Sequence, residues 1–207
     1  MGPFGFGKPQ KRVEGSIGYF GLEDWWLTSF SEDERRHIIR TFQPLGSSGD
    51  SLTSGAINYT SETAVGLLQA LAGWFTKDED RPIAHKILEK AAELSRSGTP
   101  VLDPHFLYQQ MVQIYYKDRD KPEYMAKAVH ACRQQIALAP EAARAFRAEY
   151  GDSPLPAHRG YEQLAIILEK EGRFQDAIAL SRQAESEGWS GDWRRRIERC
   201  EKKLAKA

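Results

Sequence analysis

Five histidines (His37, His85, His105, His130, His158) and two cysteines (Cys132, Cys200) are the side chains of this 207-residue chain best suited to acid–base, nucleophilic or metal chemistry. No histidine has a second His or Cys at metal-ligand spacing, so no metal site is expected. Both cysteines fall on apolar stripes, where a free thiol behaves as a small hydrophobe. Gly2, Gly7 and Lys8 have the spacing of a phosphate-binding loop. Pro9, however, stands where the magnesium-binding hydroxyl belongs and has no amide to donate. Gly2 fails as a myristoylation signal because Phe6 replaces the required Ser or Thr. Acidic runs at Glu23 and Asp24 and at Asp78, Glu79 and Asp80 sit at helix starts, where they meet the positive end of the macrodipole. There is no Gly-x-Ser-x-Gly elbow. The chemistry-bearing residues therefore point to a protein that is not an enzyme and takes no cofactor.

The elements that would position such residues follow from composition and periodicity. Twenty-nine basic residues balance 29 acidic ones, so no global field draws the chain to nucleic acid or an anionic membrane, and any such contact must be local. No run reaches the roughly 18 apolar residues of a spanning helix, and the opening Met1 to Arg12 stretch does not read as a secretory signal. With two cysteines, a reducing, cytoplasmic setting is expected. Residues 1–21 are glycine-rich and read as a flexible lead-in, with Ser16 to Phe20 at most a short strand. Phe4, Phe6, Lys8, Lys11 and Arg12 in that stretch read as a tail rather than as a membrane or partner anchor. Leu22, Trp25, Trp26 and Phe30, then a capping box at Ser31 and Glu34 ahead of Ile38, Ile39 and Phe42, predict a helical pair over 22–42. Residues 43–60 combine Gly, Ser and Pro and read as a mobile loop.

From residue 61 the pattern is all-α. Helices are predicted over 61–76, 80–97, 104–117, 122–139, 141–150, 157–171, 174–188 and 192–206, with Pro104 opening one helix, Pro140 closing another, and Gly172 and Gly188 as punctuation. In the last pair, Tyr161, Leu164, Ala165 and Leu168 form one stripe and Ala177, Ser181 and Ala184 another. With the Gly172, Arg173, Phe174 turn, this pattern resembles the tetratricopeptide repeat. Leu68, Leu71, Ala72 and Phe75 followed by Ala84, Leu88 and Ala91 fit a second copy. Tyr108, Met111, Val112 and Tyr115 followed by Ala128, Cys132 and Pro140 fit a third. Ala84, Ala128 and Ala177 are 44 and 49 residues apart against a family period of about 34, so the copies are divergent and carry insertions, including Glu141 to Pro156. Trp193, Ile197, Cys200 and Leu204 make a capping helix. The resemblance implies an α-solenoid of about three helix pairs plus this cap over 61–207, preceded by the small N-terminal helical segment.

The resemblance also implies a groove lined by the first helices. Carried onto this chain, its positions are Gln69, Gly73, Thr76 and Lys77, then Gln109, Gln113, Tyr116 and Lys117, then Glu162, Ile166, Glu169 and Lys170. Each set ends in Lys, and Tyr116 is the expected anchor for a protein or peptide. The Lys and Asn arrangement with which some members hold a terminal carboxylate is absent. Two adjacent tryptophans cannot both face one stripe, so Trp25 and Trp26 mark a candidate second surface. The last helix concentrates Arg194, Arg195, Arg199, Lys202 and Lys203. This patch reads either as a solvated outer face or as a phosphate-contacting one. The expected function is an adaptor that binds a protein or peptide. The alternatives are a nucleic-acid-associated protein using the basic helix and a non-catalytic subunit of an enzyme complex.

Overall fold

The computed structural model describes residues 13–46, 48–95 and 99–206; the tail residues considered above, Phe4 to Arg12, lie outside them. The chain is all-α, with eleven α-helices and one short parallel strand pairing among the described residues. It divides into two compact units, Met1–Ala64 and Val65–Ala207.

In the first unit, α1 (Gly15–Tyr19), α2 (Glu23–Ser29) and α3 (Glu32–Thr41) close over Ile17, Leu22, Trp26, Phe30 and Ile38. The Ser31 hydroxyl accepts from Glu34 N at 3.2 Å while the Glu34 carboxylate accepts from Ser31 N at 2.7 Å, a reciprocal cap that fixes the start of α3. Two expectations need correction. The lead-in is neither strand nor featureless beyond residue 12, because Gly15–Tyr19 is helical and Ile17 is fully buried. The 43–60 segment likewise contributes a 3-10 turn, Gly49–Leu52, whose Leu52 is fully buried. The glycines serve close approach rather than disorder. A methyl group at Gly49 would collide with the carbonyls of Ile39 and Phe42, and Gly15 N, at a positive φ of 61°, donates to Gly55 O at 2.9 Å.

The second unit holds α4 (Ala64–Ala72, from Val65 onward), α5 (Arg81–Leu94), α6 (Leu102–Tyr115), α7 (Pro122–Ala137), α8 (Ala139–Tyr150), α9 (Arg159–Lys170), α10 (Phe174–Glu187) and α11 (Trp193–Leu204). Helix α5 packs on α6, α6 on α7 and α9, α7 on α9, α9 on α10 and α10 on α11. Helix α4 is shorter at both ends than the periodicity predicts, so Phe75 is buried from the turn beyond it. Pro140 starts α8 rather than ending α7, because a first-turn proline forfeits only an amide that would be orphaned anyway. Pro104 falls in the first turn of α6, two residues in from its start at Leu102.

Segment 141–156 is a second source of core. Helix α8 contributes Ala142, Ala143 and Phe146, and strand β1 (Leu155–Ala157) pairs in parallel with β2 (Trp189–Ser190). Leu155, Trp189, Trp193 and Tyr161 complete this cluster. Its polar edges are satisfied: Trp193 Nε1 donates to Trp189 O at 2.7 Å, and the Glu187 carboxylate accepts from Tyr161 Oη at 2.8 Å and Trp189 Nε1 at 3.0 Å. Helix α9 approaches α7 at Gly160, whose amide donates to the buried Gln135 Oε1 at 2.7 Å.

A methyl group at Gly160 would lie 2.9 Å from both Cys132 O and Gln135 Oε1. Gly160→Ala should therefore lower stability by about 1–3 kcal/mol, the usual cost of overpacking, read as a fall in the urea midpoint at unchanged slope. In the first unit, Trp26 is buried whereas Trp25 is half-buried, edge-on to Phe30 at 5.2 Å. Trp26→Ala should cost about 3–5 kcal/mol. Trp25→Ala should cost under about 1.5 kcal/mol, and thermal melts of equal depression would contradict this division between core and surface.

Candidate functional site

Helix α4 ends at Ala72, α6 runs on into a 3-10 turn at Tyr116–Asp118, and α9 ends at Lys170. At these C-terminal ends the positions expected to line a groove separate into those that meet and those that do not. Lys117 Nζ donates to Thr76 O at 3.0 Å, across 41 residues of sequence. Lys170 Nζ donates to Tyr116 Oη at 3.2 Å, across 54 residues. Thr76 and Lys77 lie past the end of α4 rather than on it, and Tyr116 and Lys117 occupy a 3-10 turn that continues α6. Tyr116 is half-buried, with the Arg119 guanidinium 4.9 Å and the Lys170 ammonium 5.8 Å from its ring centre. Gln69, Gln109, Gln113 and Glu162 are half-buried; Glu162 is held by Arg159 at 3.0 Å.

Under this edge lies a buried charge cluster. Asp118 Oδ2 accepts from Arg81 Nε at 2.9 Å, and His85 Nε2 lies 3.2 Å away without hydrogen-bond alignment. Burial pushes the Asp118 carboxyl up, but the hydrogen bond and charge of Arg81 outweigh it and leave the group below its ordinary range. Arg81 also donates to Thr76 O, so the cluster holds the turn in which Thr76 and Lys77 sit.

Glu169 is the most strongly engaged groove residue. Arg199 Nε and Nη2 each donate to it at 2.8 Å, Lys203 Nζ at 2.9 Å and Arg196 Nη1 at 3.2 Å. Its side chain is 11% exposed, and the Arg199 hydrogen bonds, then Lys203, overcome burial to hold its carboxyl down at about 2. Arg196, Arg199 and Lys203 follow one another at three and four residues, one stripe of α11. That stripe is readable in the sequence, but its acidic partner on α9 is not. The basic patch is thus substantially paired: Arg194 with Glu185 at 2.8 Å, Arg195 with Asp192 at 3.5 Å, and Arg199 and Lys203 with Glu169. A notch of about 370 Å³ remains between α9 and α11, lined by Ile166, Glu169, Lys170, Arg196, Arg199 and Lys203.

The histidines that looked dispersed include one adjacent pair. His105 and His158 are both buried, with ring centres 5.2 Å apart, and His105 stacks on Trp189 at 5.7 Å. His158 caps α9, its Nδ1 accepting from Tyr161 N at 3.3 Å. Among the described residues no group of three His, Cys, Asp or Glu is placed to hold a metal ion. Burial lowers His105 to about 4; burial and then the neighbouring His105 lower His158 to about 3. Both cysteines are buried, and burial pushes the Cys132 thiol up to about 12 and raises that of Cys200.

The neutral histidine pair makes stability pH-dependent. The unfolded chain binds protons near pH 6.5, the folded chain only near 4 and 3, so stability is fully present above about 6.5 and is lost as pH falls towards 4. The unfolding free energy obtained from urea titrations should decline from pH 7 to 4.5 by up to about 1.4 kcal/mol per pH unit for each histidine, and His105→Phe should remove about half of that slope. Below about 4.5 the Glu169 ion pairs add a second loss as the carboxyl protonates. Comparison of the chain with protein-family models, with curated proteins and with solved structures gave no match.

Proposed function

We propose that this chain is a non-enzymatic adaptor with a divergent tetratricopeptide-like repeat array over about residues 61–207, in which α4 and α5, α6 and α7, and α9 and α10 are successive pairs and α11 is the cap. Two features support the array: α9 packs on both members of the preceding pair, and α11 packs on α10 at the end. The observation that carries the binding role is the meeting of Tyr116 with Lys170 and of Lys117 with Thr76. Groove positions far apart in sequence form one continuous polar edge with an aromatic ring at its middle, a composition suited to anchoring a protein or peptide. No helix among the described residues is long and apolar enough to cross a membrane, and the two free cysteines fit a reducing, cytoplasmic setting.

Affinity purification of the tagged chain from its native cells, at physiological salt, tests the reading against a Tyr116→Ala, Lys117→Glu variant of matched melting temperature. A stoichiometric protein partner should be retained by the original and lost by the variant. Identical captures from both would remove the edge as a binding surface.

A further inference from the structure

The notch between α9 and α11 is lined mainly by cations. Three cations, Arg196, Arg199 and Lys203, converge there on the single carboxylate of Glu169, and Lys170 lines the notch beside them, so four positive charges face one negative charge in a chain whose total is zero. The donors are not exhausted. Arg196 Nε is buried with no hydrogen-bond partner, and Lys170 spends one of its three N–H groups on Tyr116. The edge continues from Lys170 to Arg119, both over the Tyr116 ring, and on to Lys117, so cations run from one side of α11 to the C-terminal ends of α9 and α6. Neighbouring helix axes lie about 8–10 Å apart. Acidic side chains at every third residue of an extended polyproline II segment, which makes three residues per turn and advances about 3.1 Å per residue, lie on one face about 9 Å apart and would therefore meet one helix after another.

We propose that the ligand of this edge is an acidic, extended peptide segment, with one of its carboxylates seated in the α9–α11 notch beside Glu169. The proposal rests on the adaptor reading and names the class of partner. Single-stranded nucleic acid fits the same site less well. It binds through bases stacked on open aromatic faces, whereas the two rings at this edge are covered by cations, Tyr116 by Arg119 and Lys170 and Phe174 by Lys203 at 5.7 Å. A peptide needs no open ring, because its carboxylates take the free guanidinium and ammonium donors directly.

The test is fluorescence anisotropy of the full chain at low salt. Three labelled probes are compared: a 12-residue Ser/Gly peptide with Glu at every third position, the same peptide with Gln, and an oligothymidylate of 12 nucleotides. The Glu peptide should bind saturably with a Kd of roughly 1–100 µM, weakening with salt, and the Gln peptide at least about tenfold more weakly. Lys170→Glu combined with Lys203→Glu should weaken the Glu peptide at least about tenfold. Glu169→Gln should act in opposite directions on two readouts, lowering the melting temperature through lost ion pairs while tightening the Glu peptide about threefold or more by releasing its cations. A purely structural Glu169 would lower both stability and binding. Should Glu169→Gln not fold, the exposed Lys170 alone decides, through Lys170→Glu. Equal binding of the Glu and Gln peptides, binding indifferent to these variants, or tighter binding of the oligothymidylate would overturn the proposal. If the peptides fail while a cellular partner is still captured through Tyr116 and Lys117, the acidic class falls and the adaptor stands. If capture fails as well, both fall.

Discussion

Gln135 joins three helices in the second unit, and the arrangement of the edge where Tyr116 meets Lys170 depends on it. From α7, its side chain donates to His105 O on α6 at 3.2 Å and accepts from Gly160 N on α9 at 2.7 Å, with no exposure to solvent. A buried amide costs free energy unless its donors and acceptor are used, and here both ends are. The same bond also satisfies an amide at the start of α9 that no helical carbonyl can reach. Because Gly160 has no side chain, α9 can come close enough for this bond to form. The positions of α6 and α9 are thereby set together, and with them the distance between Tyr116 and Lys170 at the far ends of those helices.

A second constraint acts at the opposite end of α9. Glu169 is a carboxylate largely withdrawn from water, which is tolerable only because three cations from α11 reach it. Pairing of this kind adds little net stability over a well-packed apolar contact, but removing one partner leaves the other charges poorly compensated. The cluster therefore serves better as a means of registering α11 on α9 than as a source of stability. It also explains how a helix with so many basic residues closes the unit without presenting all of that charge outward. The carboxylate offsets part of the cationic face, while Arg194 and Arg195 stay exposed beside acidic partners of their own, Glu185 and Asp192.

Much of the second unit was legible because its signal is local. The period of Leu164, Ala165 and Leu168, or of Ala177, Ser181 and Ala184, is imposed by the helix itself, and each of these residues is buried as the stripe requires. The glycine-rich stretches before residue 60 were misread for the converse reason. Ile17 and Leu52 are isolated apolar residues with no periodic neighbours, and they are buried only because α1 and the Gly49–Leu52 turn come together, with Glu14 N donating to Thr53 O at 3.1 Å. Composition measures what a segment can bury by itself, whereas these segments bury one large side chain each against elements distant in sequence. Pro140 shows the same limit at smaller scale, since a proline marks a break without saying on which side of it the next helix lies.

For the site, the sequence by itself determined the helical spacing that puts Arg196, Arg199 and Lys203 on one stripe of α11, while Tyr116 and Lys170 were singled out only by the resemblance. Only the tertiary structure decided which of them meet. Attraction between charges depends on separation in space and on exclusion of water, and neither is encoded in spacing along one helix. The pairing of Glu169 with α11, of Lys170 with Tyr116 and of His105 with His158 each joins residues 27 or more positions apart. A charge that looked free in the sequence became paired, and two histidines that looked dispersed became neighbours, because long-range packing sets both distance and dielectric.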